Sequence, residues 1–282
     1  MNLISLKKYR NSCIALVATA SVALSQSAFA TPLYSQGFED DIGGWDAFSV
    51  SFYPVRVVTG TNGVTSASGN AHAEAGTSAT NWGGYNSGTS SFTTSFQSYF
   101  TSIDIFLDVD GQWANDTRFD FSSAIGNTTG GFLQDFVFNG GFYSDDTGPG
   151  ANTNRFIFSA SSNAGRANSY PKNPGRDPFS IDASGWYTFT HNFFENAGQL
   201  EVELSIADML GTNLKSWTLG SIASSISEVG GNRYGWFVQN EFSVLAFDNT
   251  SLTVTEQVSA PGTLGLLGFS LIGLGWMRRK KA

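Results

Sequence analysis

Ile103-Asp104-Ile105-Phe106-Leu107-Asp108-Val109-Asp110 decides the fold. Ile103, Ile105, Leu107 and Val109 alternate with Asp104, Phe106, Asp108 and Asp110. A period of two is the signature of a strand with one buried and one polar face, and it excludes an amphipathic helix, whose apolar residues recur every three to four positions. The same alternation returns at Ser91 to Phe100, Phe132 to Phe138, Arg155 to Ala160, Gly185 to Phe193, Gln199 to Ile206, Tyr234 to Val238 and Phe242 to Val254. Gly, Asn, Ser and Asp separate the runs, and no segment between Thr31 and Glu256 sustains a helical period. A helical turn fits only Ile222 to Glu228. About eight to twelve strands are predicted, which implies an antiparallel β-sandwich or jelly roll. No repeat of about 20 to 50 residues suggests a propeller or solenoid.

The chain of 282 residues holds 15 Lys and Arg against 23 Asp and Glu. Seven of the bases sit at the ends: Lys7, Lys8, Arg10, Arg278, Arg279, Lys280 and Lys281. The stretch from Thr31 to Glu256 holds 8 bases and all 23 acids, a net of −15. So acidic a body repels phosphate backbones, which excludes nucleic acid as a partner. With 24 Phe and 7 Trp the chain has the apolar bulk for a large core, which argues against disorder.

Residues 1–30 carry the three parts of a secretory signal peptide. Lys7, Lys8 and Arg10 are its basic start and Cys13 to Leu24 its short apolar run. Ala28-Phe29-Ala30 supplies the small residues at the cleavage site, so signal peptidase is an expected partner. Cleavage after Ala30 removes Cys13, the one cysteine, and leaves core packing or a bound ion to stabilise the body. Residues 31–256 are expected to form one sandwich domain, and residues 257–282 a separate tail. That tail runs Val258-Ser259-Ala260-Pro261-Gly262-Thr263, then Leu264 to Met277, then Arg278-Arg279-Lys280-Lys281. It combines a Pro break, an apolar segment short for a transmembrane helix and a basic stop that stays cytoplasmic.

This tripartite layout resembles the PEP-CTERM sorting signal of Gram-negative bacteria. Ser259-Ala260-Pro261 stands where Pro-Glu-Pro is expected, and Pro261 alone matches. Thr263-Leu264-Gly265-Leu266-Leu267-Gly268 and Arg278 to Lys281 match the apolar start and the basic end. The resemblance implies an exosortase-type processing enzyme, transient anchoring in the inner membrane, and a final place at the cell surface or in an extracellular biofilm matrix. An ordinary membrane anchor is the alternative.

The body resembles the concanavalin A-like, laminin G-like sandwiches. Gly185-Trp186-Tyr187-Thr188-Phe189, Leu200 to Ile206, Asp208 to Gly211, Trp217-Thr218-Leu219, Gly231 to Phe237 and Leu245 to Asn249 follow that group's strand succession, and Gly37-Phe38-Glu39 suits its first strand. The resemblance implies a lectin-like domain with exopolysaccharide as a candidate partner. A glycan-active hydrolase and a purely structural matrix component are the alternatives.

No cofactor is required on this reading, and a structural calcium is the one ion that the residues suggest. Asp108, Asp110 and Asp116 form a dense run of hard oxygen donors. Glu39 and Asp248 would meet if the first and last strands pair, as the jelly-roll resemblance implies. Asp104, Asp108 and Asp110 share a strand face, but the Glu-x-Asp-x-x-Glu pattern of the fold's glucanases is absent, so no catalytic residue is assigned. His72 and His191, the two histidines, lack the clustered His or Cys of a zinc site, and His191, in strand-like context, reads as a packed or surface residue. The loop Ser161 to Pro178 is the binding candidate, with Arg166, Asn168, Tyr170, Lys172, Asn173 and Arg176 as its polar and stacking groups. Trp82 and Trp113, among Gly and Asn, add stacking platforms, whereas Trp186, Trp217 and Trp236 are expected in the core.

Overall fold

A computed structural model describes residues 31–47, 54–77, 81–83, 95–162 and 171–255. Within them the chain forms fifteen strands: β1 (Thr31–Gln36), β2 (Trp45–Ala47), β3 (Val55–Val58), β4 (Ala71–Ala75), β5 (Asn81–Gly83), β6 (Tyr99–Leu107), β7 (Thr117–Asn127), β8 (Phe132–Tyr143), β9 (Arg155–Ser162), β10 (Phe179–Ile181), β11 (Gly185–Asn196), β12 (Gln199–Asp208), β13 (Asn213–Ser225), β14 (Val229–Asn240) and β15 (Leu245–Val254). Among the described residues the helical content is three single 3-10 turns, at Thr61–Gly63, Pro174–Arg176 and Ile226–Glu228.

The strands build two antiparallel sheets. The first runs β13-β12-β11-β6-β15-β4-β3, with β1 also paired to β15; the second runs β10-β9-β8-β7-β14-β5-β2. Gln36 lies opposite Thr250, so the first and last strands are neighbours. Alternation sets the inner face of each strand. On β11, Tyr187, Phe189, His191 and Phe193 turn inward, and on β6 Tyr99, Ile103, Ile105 and Leu107 do. Phenylalanine rings meet edge-on between the sheets: Phe138 and Phe189 at 5.2 Å, Phe158 and Phe189 at 5.1 Å. The tight β11–β12 hairpin places Ala197 and Gly198 at φ 51° and 80°, the left-handed pair that matches strand twist.

The structure departs from the sequence-based expectation in several places. The strand count exceeds it, because short strands such as β2, β5 and β10 hold too few residues to show a period. Residues 95–98 precede β6 rather than forming a strand with Phe100, and Tyr99 rather than Phe100 turns inward. The β6 strand stops at Leu107, although Val109 is still buried. Trp217 joins the core, but Trp186 and Trp236 are only partly buried. Trp186 alternates with the inward Tyr187, which turns it to the outer face of the first sheet.

Candidate functional site

The outer face of the first sheet carries a polar cluster under a cover. His72 and Glu74 on β4, Asp104 on β6 and Asp248 on β15 all point outward, yet each is buried. Their cover is residues 59–70, the twelve-residue loop of the β3–β4 hairpin, closed at its base where Thr59 N–H donates to the Asn70 carbonyl at 2.8 Å. The loop folds back over its own strand and crosses β15 and β6 to reach β11, where Trp186 Nε1 donates to the Thr65 carbonyl at 2.7 Å. Asn62 Nδ2 donates to Glu74 Oε2 at 2.8 Å, and the Ser66 hydroxyl pairs with His72 Nδ1 at 3.0 Å. Ser68 N–H donates to Asp248 Oδ2 at 3.2 Å, and the Ser68 hydroxyl to Asn249 Oδ1 at 2.7 Å.

Beneath that cover two like charges face each other. Asp248 lies directly opposite Asp104 in the β6–β15 register. Asp104 accepts from the Thr188 hydroxyl at 2.6 Å and from Asn249 Nδ2 at 2.8 Å, while Asp248 Oδ1 accepts from Asn249 N–H at 2.8 Å. Burial, with a further push from the Asp104 charge, raises the Asp248 carboxyl to about 6. Burial likewise lowers His72, against the pull of Glu74, whose Oε1 lies 3.5 Å from His72 Nε2.

Beside the cluster, at the end of the sandwich, a cleft of about 180 Å³ opens. Phe156, Phe242, Leu245 and Ala246 are its buried floor. Asn62 and Val64 of the covering loop, Phe106, Asp108, Trp113 and Val244 also line it. Trp113 packs edge-on against Phe242 at 5.1 Å and donates Nε1–H to the Asp108 carbonyl at 2.8 Å. Gly111 makes this possible: a Cβ there would stand 2.5 Å from Trp113 Nε1 and 2.7 Å from Asp108 Oδ2.

The sequence-selected residues are distributed unevenly around these features. Asp108 and Trp113 meet in the cleft. Asp110 accepts from the Ser184 hydroxyl at 3.2 Å, and both Asp116 oxygens accept from Arg118 at 2.7 Å. Glu39 and Asp248 do converge on one turn, but as caps: Glu39 accepts from the N–H of Asn70 and Ala71, Asp248 from that of Ser68. Among the described residues no group of three or more His, Cys, Asp or Glu side chains is placed to hold a metal. Lys172 donates to Asp145 Oδ2 at 2.6 Å and to the Thr147 hydroxyl at 2.8 Å, over the Tyr143 ring. Asn173 caps the 174–176 turn through Gly175 N–H, and Arg176 donates to the Ala160 carbonyl. Arg166, Asn168, Tyr170, the Trp82 side chain, Ala28, Ala30, Ser259, Ala260 and Pro261 lie outside the described residues. Asn62, Phe106 and Phe242 in the cleft, and the His72, Glu74 and Asp104 cluster, were not selected as ligand or metal residues from sequence.

No protein-family model and no curated relative matches the chain. Among solved structures it is similar to the CBM2 module of the evolved Dit of Lactobacillus casei BL23 phage J-1, at 10% identity and a TM-score of 0.36, over 80% of this chain and 96% of that one. It is also similar to winged bean acidic lectin complexed with methyl-α-D-galactose, at 12% identity and a TM-score of 0.36, over 79% and 97% of the two chains. Basic winged bean lectin with Tn-antigen aligns at 11% identity and a TM-score of 0.40, over 78% and 96%. These values are too low to carry a ligand or an activity across.

Proposed function

We propose that this is an exported, noncatalytic surface protein whose sandwich presents a cleft for one sugar residue of an extracellular glycan. The observation that carries the reading is the cleft lined by Phe106, Trp113 and Phe242 together with Asp108 and Asn62. Aromatic faces cover the apolar C–H patches of a pyranose, while a carboxylate and an amide accept and donate directionally to its hydroxyls. The volume is below the roughly 300–1,000 Å³ of pockets that enclose drug-sized ligands, which suits a single ring. Glycoside hydrolysis takes two carboxylates flanking the bond, and among the described residues Asp108 is the one acid lining the cleft. The signal peptide and the PEP-CTERM-like tail supply the export and sorting half of the proposal, with signal peptidase and an exosortase-type enzyme as processing partners.

Two measurements test it. Mass spectrometry of the protein from surface and medium fractions should find termini at Thr31 and near Val258 to Pro261; an intact Ala282 in membranes rejects sortase processing. Calorimetric titration with methyl glycosides and extracellular polysaccharide should show binding that Trp113→Ala removes without unfolding the sandwich. A full glycan panel with no binder rejects the sugar reading.

A further inference from the structure

The covering loop belongs to both features of the outer face. Its Asn62 and Val64 form one wall of the cleft, and its Asn62, Ser66 and Ser68 are bonded to Glu74, His72 and Asp248. Residues 59–70 contain no charged side chain. Any response of the loop to pH therefore comes from the groups beneath it. These are Asp248 on β15, Asp104 on β6, His72 and Glu74 on β4, Glu39 beyond β1 with Arg56 of β3 on its carbonyl, and Asp108 across the cleft, while β11 presents uncharged Trp186 and Thr188.

We propose that residues 59–70 are a flap latched by the buried acids Asp248, which holds Ser68, and Glu74, which holds Asn62, with Asp104 facing Asp248 beneath it, and that mild acid holds this flap closed and so holds the cleft in its binding shape. The cleft part rests on the sugar reading; the latch part does not. The physical argument is one of proton linkage. With the flap closed, Asp248 is sealed from water opposite a like charge, an arrangement that costs least when one of the two acids is neutral. With the flap lifted, Asp248 is hydrated and its carboxyl returns towards the ordinary 3.8 from about 6. The closed state therefore binds a proton more tightly, so acidification through pH 6 favours closure and a rise above it loosens the latch. His72 opposes this, because burial lowers it and its protonation favours opening, while the neighbouring Glu74 works against that lowering.

Hydrogen exchange of the full chain, corrected for the intrinsic pH dependence of exchange, reads the latch directly. Flap amides between Asn62 and Asn70 should be up to about tenfold less open at pH 5 than at pH 7.5. Asp248→Asn should flatten that dependence, and Asp104→Asn, which removes the facing charge, keeps one acceptor oxygen for Asn249 and can turn its Nδ2–H to the Thr188 hydroxyl, should move its midpoint to lower pH. Flap protection that does not change with pH, or that changes equally in Asp248→Asn and wild type, overturns the latch. Methyl galactoside and methyl glucoside titrations at both pH values test the coupling. Tighter binding at pH 5 supports it, and pH-independent binding with a titrating flap overturns it. A titrating flap with no sugar bound at either pH supports the latch and rejects the sugar reading instead.

Discussion

His191 Nε2 on β11 donates to the backbone carbonyl of Phe136 on β8 at 3.0 Å, a polar tie between the two sheets. The imidazole sits fully buried among Phe121, Phe138 and Phe193, and Nδ1 has no hydrogen-bond partner among the described residues. The carbonyl fixes the tautomer, since only an N–H can donate to it. A charge there would be surrounded by rings.

Acid should therefore act through His191. Burial lowers it to about 3, against 6.5 for an ordinary histidine. Between those values the unfolded chain binds a proton that the folded chain refuses, so this contribution is fully present above pH 6.5 and is lost as pH falls. The loss is about 2 kcal/mol by pH 5, since each unit is worth about 1.4 kcal/mol. Asp248, raised when folded, pulls oppositely over about pH 4 to 6, so the measurement is a difference. His191→Gln, which keeps an N–H for Phe136, should cost stability at pH 7.5 and lose less than wild type on acidification to pH 5. Parallel stability curves for the two proteins would reject the assignment.

Arg155 should be the most sensitive charged residue of the body. Its fully buried guanidinium donates to the carbonyls of Tyr143, Asp145, Thr147, Pro149 and Thr153. One fork thus organises the whole β8–β9 connection. Lysine keeps the charge but has neither the planar fork nor five donors. Arg155→Lys should cost about 3 kcal/mol or more in urea unfolding and remove exchange protection across residues 144–154. A loss under about 1 kcal/mol would mean that the loop is held by other contacts.

The sequence exposes this fold and this site unequally. Inner faces are legible because each long strand repeats its apolar residues at a period of two, as in Tyr187, Phe189, His191 and Phe193. Trp186 breaks no rule: its place between Gly185 and Tyr187 puts it outward, and its size alone suggested the core. The neighbouring of the first and last strands is legible in the sequence; Glu39 and Asp248 near their ends cap separate amides of the 68–71 turn. The cluster was not visible. His72, Asp104 and Asp248 are far apart in the chain, and sheet order and the folded-back 59–70 loop, not local pattern, bring them together. Strand alternation alone makes Asp104 a solvated residue; the loop makes it a buried one.

Lys172 separates a scaffold role from a ligand role. Its ammonium holds the Asp145 carboxyl well below the usual range, so this pair stabilises the fold above about pH 4 and is lost as the acid protonates below it. Lys172→Ala should lower stability by about 1 kcal/mol at neutral pH, with a smaller difference at pH 3. Methyl glycoside affinity should be unchanged, because the cleft is lined by other residues. Lost binding without lost stability would return the 171–178 segment to the ligand site.

Gly111 should control the cleft without touching its floor. Its backbone φ is not in the left-handed region, so alanine brings no conformational strain, only a methyl group. That methyl would collide with both Trp113 Nε1 and Asp108 Oδ2. The ring and the carboxylate must separate, and the Trp113 bond to the Asp108 carbonyl must lengthen. Gly111→Ala should shift tryptophan emission and weaken methyl glycoside binding by about tenfold, about 1.4 kcal/mol, with the unfolding midpoint little changed. Normal affinity alongside shifted emission would show that Trp113 is not a wall of the sugar site.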